Sequence, residues 1–133
     1  MRRHAEQYAK RTPSVQGNHF DFSGLWVNEL GSNMDIVVDS NGNVTGKYQS
    51  AVSDNGGPTK WFSLTGTTSG DLISFTVNWG TEITAWIGHG AFSVDSSPEI
   101  LALWQLVKNV PDIEDPETQW KTVMSGADSF IRA

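Results

Sequence analysis

Asn28, Ser32, Tyr48, Ser50, Thr84 and Asp128 are the residues of this chain best placed to do chemistry. At the two-residue period of a strand, each shares a face with large apolar neighbours. In "GLWVNELGSNM" (24–34) that period puts Trp26, Asn28, Leu30 and Ser32 on one face, and Leu25, Val27, Glu29 and Gly31 on the other. If the tryptophan face is the inner one, an amide and a hydroxyl go inside with it, and a buried polar group is costly unless it is hydrogen-bonded. The same parity groups Tyr48, Ser50 and Val52, then Phe75, Val77 and Trp79, then Thr84 with Trp86, Trp104 with Leu106, and Asp128 with Phe130. Amides and hydroxyls can donate, a carboxylate can accept, and tryptophans offer flat apolar walls. Together they predict a closed pocket for a small molecule that is part polar and part apolar. The plainer alternative is that these polar groups satisfy one another.

Catalysis is the competing chemistry, with Asp128 as a buried base. No histidine joins the set: His4 and His19 lie in the N-terminal segment, and His89 falls on the outward parity of its strand. No nucleophile–base pair and no metal-ligand spacing is present, so no catalytic residue, metal or cofactor is expected. A lipocalin-like barrel carrying another small amphiphile needs fewer convergent donors, and a purely structural protein leaves the pocket polarity unexplained.

Positioning these side chains falls to short strands. Alternating or β-branched runs occur at roughly 24–31, 33–39, 44–52, 60–67, 72–79, 82–91, 99–107 and 120–131. "DSNGN" (39–43) holds an Asn-Gly hairpin signal, "TTSGD" (67–71) is a second turn, and "SDNGGPT" (53–59) is a longer loop. "KNVPDIEDPET" (108–118) reads as a solvated connection. These short links predict an all-β fold, an eight-stranded antiparallel up-and-down β-barrel whose closure removes exposed edges. On the outward parity, Ile83, Ala85, Ile87 and His89 of the sixth strand and Leu101, Leu103, Gln105 and Val107 of the seventh are largely apolar. A wall facing water should alternate, so this patch predicts a subunit interface.

With 133 residues the chain is one domain, read as a flexible polar N-terminal arm over 1–21 and the barrel over 22–133. Zero cysteines exclude disulfides, thiolate metal sites and a cysteine nucleophile. A net charge of -6 argues against nucleic acid as a partner, since that affinity rests on Lys and Arg at phosphates. No apolar run is long enough for a membrane helix, and "MRRHAEQYAKRTPSVQGNHF" lacks the apolar centre of a signal peptide. A soluble protein outside the membrane is expected, with its compartment open. The 6 tryptophans are an excess for this length, as suits a chain that grips a ligand.

At these residues the sequence resembles the avidin family. "GLWVNELGS" is similar to the family's opening strand, "GNVTGKYQSAV" (42–52) to its T-G-x-Y-x-S-x-V strand, and "FTVNW" (75–79) to its fifth-strand motif. "TAW" (84–86) resembles the sixth strand, "LWQL" (103–106) the Trp-x-Leu of the seventh, and "WKTVMSGADSF" (120–130) the terminal W-K-x-x-x-x-G-x-D-x-F. The likeness runs in order from about Gly24 to Phe130.

The resemblance implies non-catalytic, very tight binding of biotin. By it, Asn28, Ser32 and Tyr48 donate to the ureido oxygen, Ser50 and Asp128 accept from the ureido N–H groups, and Thr84 meets the ring sulfur. Trp79, Trp86, Trp104, Leu30, Val52 and Leu106 form the apolar box. Glu82 stands where the family receives the carboxylate tail, and an acid there repels an anion, so biotin amide is expected to bind about as well as biotin. The loop at Asp54 and Asn55 offers another contact for the tail. The resemblance also implies a secreted location and a homo-oligomer, a tetramer rather than a dimer, with Trp120 reaching into a neighbouring subunit's pocket.

Overall fold

The computed structural model describes residues 20–51, 59–109 and 123–133. Its strands are β1 (Gly24–Asn28), β2 (Asn33–Val38), β3 (Asn43–Gln49), β4 (Trp61–Ser69), β5 (Leu72–Asn78), β6 (Glu82–Phe92), β7 (Pro98–Lys108) and β8 (Val123–Arg132). Each pairs antiparallel with the next, and β8 returns to β1 through Trp26↔Arg132, Val27↔Ile131 and Asn28↔Phe130. The result is the closed eight-stranded barrel that the alternation predicts.

Alternation sorts the residues as expected. In β5, Ile73, Phe75 and Val77 are buried while Leu72, Thr76 and Asn78 face outward. The Asn-Gly signal makes a tight β2–β3 hairpin. The Asp39 carboxylate accepts from the backbone N–H groups of Asn41 and Asn43, both at 2.9 Å. Those bonds, that of Asn43 foremost, hold the Asp39 carboxyl below its ordinary pKa.

The first strand departs from expectation. It ends at Asn28 rather than continuing to residue 31, because the Gly31 N–H donates to the Asn28 carbonyl at 3.0 Å and Gly31 takes a φ of +88°, open to glycine and closed to most other residues. The chain turns there, so Leu30 leaves the interior parity and is 70% exposed. Ser32 survives the turn as a buried residue at the start of the return.

The end of the barrel where β1 begins, the lower end, is filled by Phe20, Phe22 and Trp26. The Trp26 indole N–H donates to the Phe22 carbonyl at 2.8 Å, and the Arg132 guanidinium lies 4.0 Å over the Trp26 ring. Arg132 also donates to the carbonyls of Ser23 and Asp21, both at 2.6 Å, tying the last strand to the segment that enters the first. Phe20 falls at the end of the stretch read as an arm, and it is buried against Phe22, Trp26 and Phe92. Met34, Ile36, Val44, Leu64, Ile73 and Ile100 belong to the same apolar core.

Candidate functional site

The upper end of the barrel, where β1 finishes, carries the polar residues. The turn that ejects Leu30 also orients Asn28, whose Oδ1 accepts from the backbone N–H groups of Leu30 at 3.0 Å and Ser32 at 2.9 Å. With its oxygen so occupied, the amide NH2 points inward and donates to the Tyr48 hydroxyl at 3.4 Å. Ser32 Oγ accepts from the Ala51 N–H at 3.0 Å and hydrogen-bonds Tyr48. Burial pushes the Tyr48 hydroxyl well above its ordinary pKa, with the carboxylates of Asp128 and Glu29 adding to the shift, so it remains a neutral donor.

The opposite wall is aromatic. Trp86 on β6 lies across from Phe75 on β5, stacked at 4.9 Å, and from Trp104 on β7. Its indole N–H donates to Asp128 Oδ2 at 2.9 Å, and its ring sits 4.9 Å from that of Tyr48. Trp79 donates to Thr84 Oγ1 at 2.8 Å and meets the rings of Phe62 and Tyr48 edge-on. Trp104 can lie flat against β8 only because its register partner is Gly126, where a Cβ would fall 2.5 Å from the indole. Any side chain at 126 would push that wall into the interior.

Asn28, Ser32, Tyr48, Thr84 and Asp128 are buried together, and every buried side-chain nitrogen or oxygen among the described residues has a hydrogen-bond partner. The polar groups do satisfy one another. That does not exhaust them, because a carboxylate offers about four acceptor positions, an amide two donors, and a hydroxyl both roles. The internal bonds fix their directions while leaving capacity for a further polar group. Of the other expected residues, Ser50 follows β3 on the Tyr48 parity and Leu106 faces Thr84 across β6–β7, both half-buried. Val52, Asp54, Asn55 and Trp120 lie outside the described residues.

Two residues enter the site that sequence parity left out. Glu29 follows β1 on its outward parity, yet its Oε2 accepts from the N–H of Ser129, the residue next to Asp128, at 3.0 Å. Burial raises the Asp128 pKa, and the Glu29 partner raises it further. For Glu29 burial works in the same direction, but the bond from the Ser129 N–H and the other local interactions outweigh it and the pKa is lowered. Lys108 is the second: it stands opposite Glu82 at the upper rim, 4.0 Å from its carboxylate, so the acid expected to repel an anion carries its own counter-charge. Outside the barrel, a groove of about 790 Å3 runs over the faces of β4–β7, where Ile87 and Leu103 meet Thr65, Thr67, Ser74 and Thr76.

The avidin family profile matches residues 16–133. The chain is similar to avidin from Gallus gallus, at 33% identity over 129 residues, covering 90% of this chain and 83% of that protein. Among solved structures it is similar to xenavidin, with a TM-score of 0.75 and 29% identity over 87% of this chain and 100% of that one. It is similar also to rhizavidin in its complex with biotin, with a TM-score of 0.67 and 29% identity over 85% of this chain and 92% of that one. A barrel closed by eight strands, the ordered motifs along it and these likenesses agree: the chain belongs to the avidin family.

Proposed function

We propose that this protein binds biotin, tightly, reversibly and without altering it, in the upper half of the barrel. The observation that carries the reading is the buried ring of Asn28, Ser32, Tyr48 and Asp128 facing Trp79, Trp86 and Trp104, in a chain similar to a protein solved as a biotin complex. A urea presents one carbonyl oxygen and two N–H groups, so it needs donors on one side and acceptors on the other. Asn28, Ser32 and Tyr48 serve the oxygen, Ser50 and Asp128 the N–H groups, and Thr84 the ring sulfur. The tryptophans, Val52 and Leu106 hold the apolar rings and chain, and the tail runs out past Glu82, Lys108, Asp54 and Asn55.

The same reading includes an oligomer built on the outer wall. Ile87 and Leu103 are 65% and 66% exposed in the single chain, too much apolar surface for a strand pair facing water. A tetramer in which Trp120 reaches a neighbour's pocket is favoured over a dimer. Light scattering after size exclusion decides, and a monomer mass overturns this part. Trp120→Lys should lower biotin affinity and subunit association together.

Titration calorimetry and thermal melting test the binding. Biotin at micromolar concentration should bind one per chain, raise the melting temperature and be recovered intact after long incubation, since a ligand specific to the folded state stabilises it by mass action. The absence of both binding heat and a shift in melting temperature would refute the reading.

A further inference from the structure

We infer that Trp79 is a positioning residue for ligand selection: its indole N–H makes the buried Thr84 hydroxyl a donor to the ligand, so that the site prefers a ring with a thioether sulfur at that point over one with a methylene. The inference rests on the biotin reading for which ring atom meets Thr84. Three observations carry it. Trp79 Nε1 lies 2.8 Å from Thr84 Oγ1. An indole N–H can only donate, so the Thr84 oxygen accepts and its own hydrogen must point elsewhere. Thr84 is only 4% exposed, and among the described residues that hydrogen meets no acceptor.

The indole is held from several sides. Trp79 follows the last residue of β5 on its inward parity, and its backbone N–H donates to the Glu82 carbonyl at 2.8 Å, closing the short turn into β6. Within that turn Gly80 takes a φ of +108°, and its N–H donates to Asn78 Oδ1 at 2.9 Å. The rings of Phe62 at 5.0 Å and Tyr48 at 5.8 Å meet the indole edge-on and fix its plane. Thr84 itself lies opposite Val77 and Leu106, neither of which has a side-chain atom to take its hydrogen. Trp86, two residues further along β6, shows the contrast. Its N–H also holds a polar partner, but Asp128 is a carboxylate and stays an acceptor, whereas a hydroxyl that accepts a bond keeps a hydrogen to give.

A buried hydroxyl hydrogen without an acceptor costs free energy, and a ligand atom that accepts it removes that cost. A thioether sulfur is a weak acceptor and a methylene is none. Biotin and the analogue with a methylene in place of its ring sulfur share their outline and their urea, so the ratio of their affinities isolates the contact with Thr84. Without the Trp79 N–H the Thr84 hydroxyl turns freely about its C–O bond, its direction is no longer set, and the preference for sulfur falls.

Competition titrations of the intact protein with these two ligands test this. The affinity ratio of biotin to the methylene analogue should be about threefold to tenfold higher in wild type than in Trp79→Phe. Thr84→Val should lower the ratio alike, Thr84→Ser should retain it, and Trp79→Phe combined with Thr84→Val should lose no more of it than either change alone. If Trp79 serves only as apolar wall, its loss weakens both ligands alike and leaves the ratio unmoved, and that result overturns the inference. Losses of ratio that add in the double variant overturn it too. Where Trp79→Phe does not fold by circular dichroism, replacing the indole with benzothiophene, which has the same outline and no N–H, supplies the same comparison. If neither ligand binds wild type, the biotin reading fails and the inference falls with it, whereas biotin binding with an unmoved ratio removes the inference alone.

Discussion

At the lower end of the barrel, Phe20, Phe22 and Trp26 fill the space between strands, and the polar atoms present, the Trp26 N–H and the Arg132 guanidinium, bond to backbone carbonyls. At the upper end the same strands carry Asn28, Tyr48, Thr84 and Asp128, which bond one another and their tryptophans from side chain to side chain, while the Asn28 oxygen is held by the Leu30 and Ser32 N–H groups. The difference teaches how one barrel divides its labour. Apolar filling tied to the backbone gives stability that does not depend on a ligand. Side chains bonded to one another hold fixed directions but can accept a further partner, because each retains unused donor or acceptor capacity.

Substitutions at the two ends should separate these roles. Trp26→Ala should have the largest effect, costing about 3–5 kcal/mol of stability. That is a large share of the 5–15 kcal/mol typical of a domain, and it should show as a melting temperature lowered by roughly ten degrees or more. The chains that remain folded should keep their biotin stoichiometry, and a loss of stoichiometry would break the division between the ends. Asp128→Ala should act the other way round. It removes an acceptor from the proposed site and should weaken biotin by about 1.5–3 kcal/mol, roughly ten- to a hundredfold by calorimetry. Its barrel should remain folded by circular dichroism.

Arg132→Ala comes next. It deletes two hydrogen bonds and the cation–π contact on Trp26, so it should lower stability by about 1–2 kcal/mol and leave biotin affinity at its wild-type value. A change in affinity would show that the lower end reaches the site. The smallest effect belongs to the rim. Lys108→Ala should weaken biotin relative to biotin amide by less than about 1 kcal/mol, because both members of the Glu82 pair are solvent-accessible and screened. Glu82→Gln should shift the same comparison in the opposite direction. Equal affinities for acid and amide in all three proteins would remove the rim pair from tail recognition.

The strands of the barrel and the burial of most of the candidate polar residues were legible along the chain, because a strand has a period of two and each buried residue announces its face through its neighbours. Phe75 and Val77 point inward beside Trp86 for that reason, and Asn28, Tyr48, Thr84 and Asp128 are buried where the parity puts them. The Asn-Gly turn was equally local, since the Asp39 carboxylate closes it within a few residues. Leu30 was not legible. Parity carries no further than the strand, and the strand stops where the Asn28 carbonyl captures the Gly31 N–H. Nor could the sequence pair Glu29 with the Ser129 N–H, Lys108 with Glu82, or Gly126 with Trp104. Parity states which side of a sheet a residue occupies, whereas these contacts depend on register between strands and on the closure of β8 onto β1, which exist only once the whole barrel has formed.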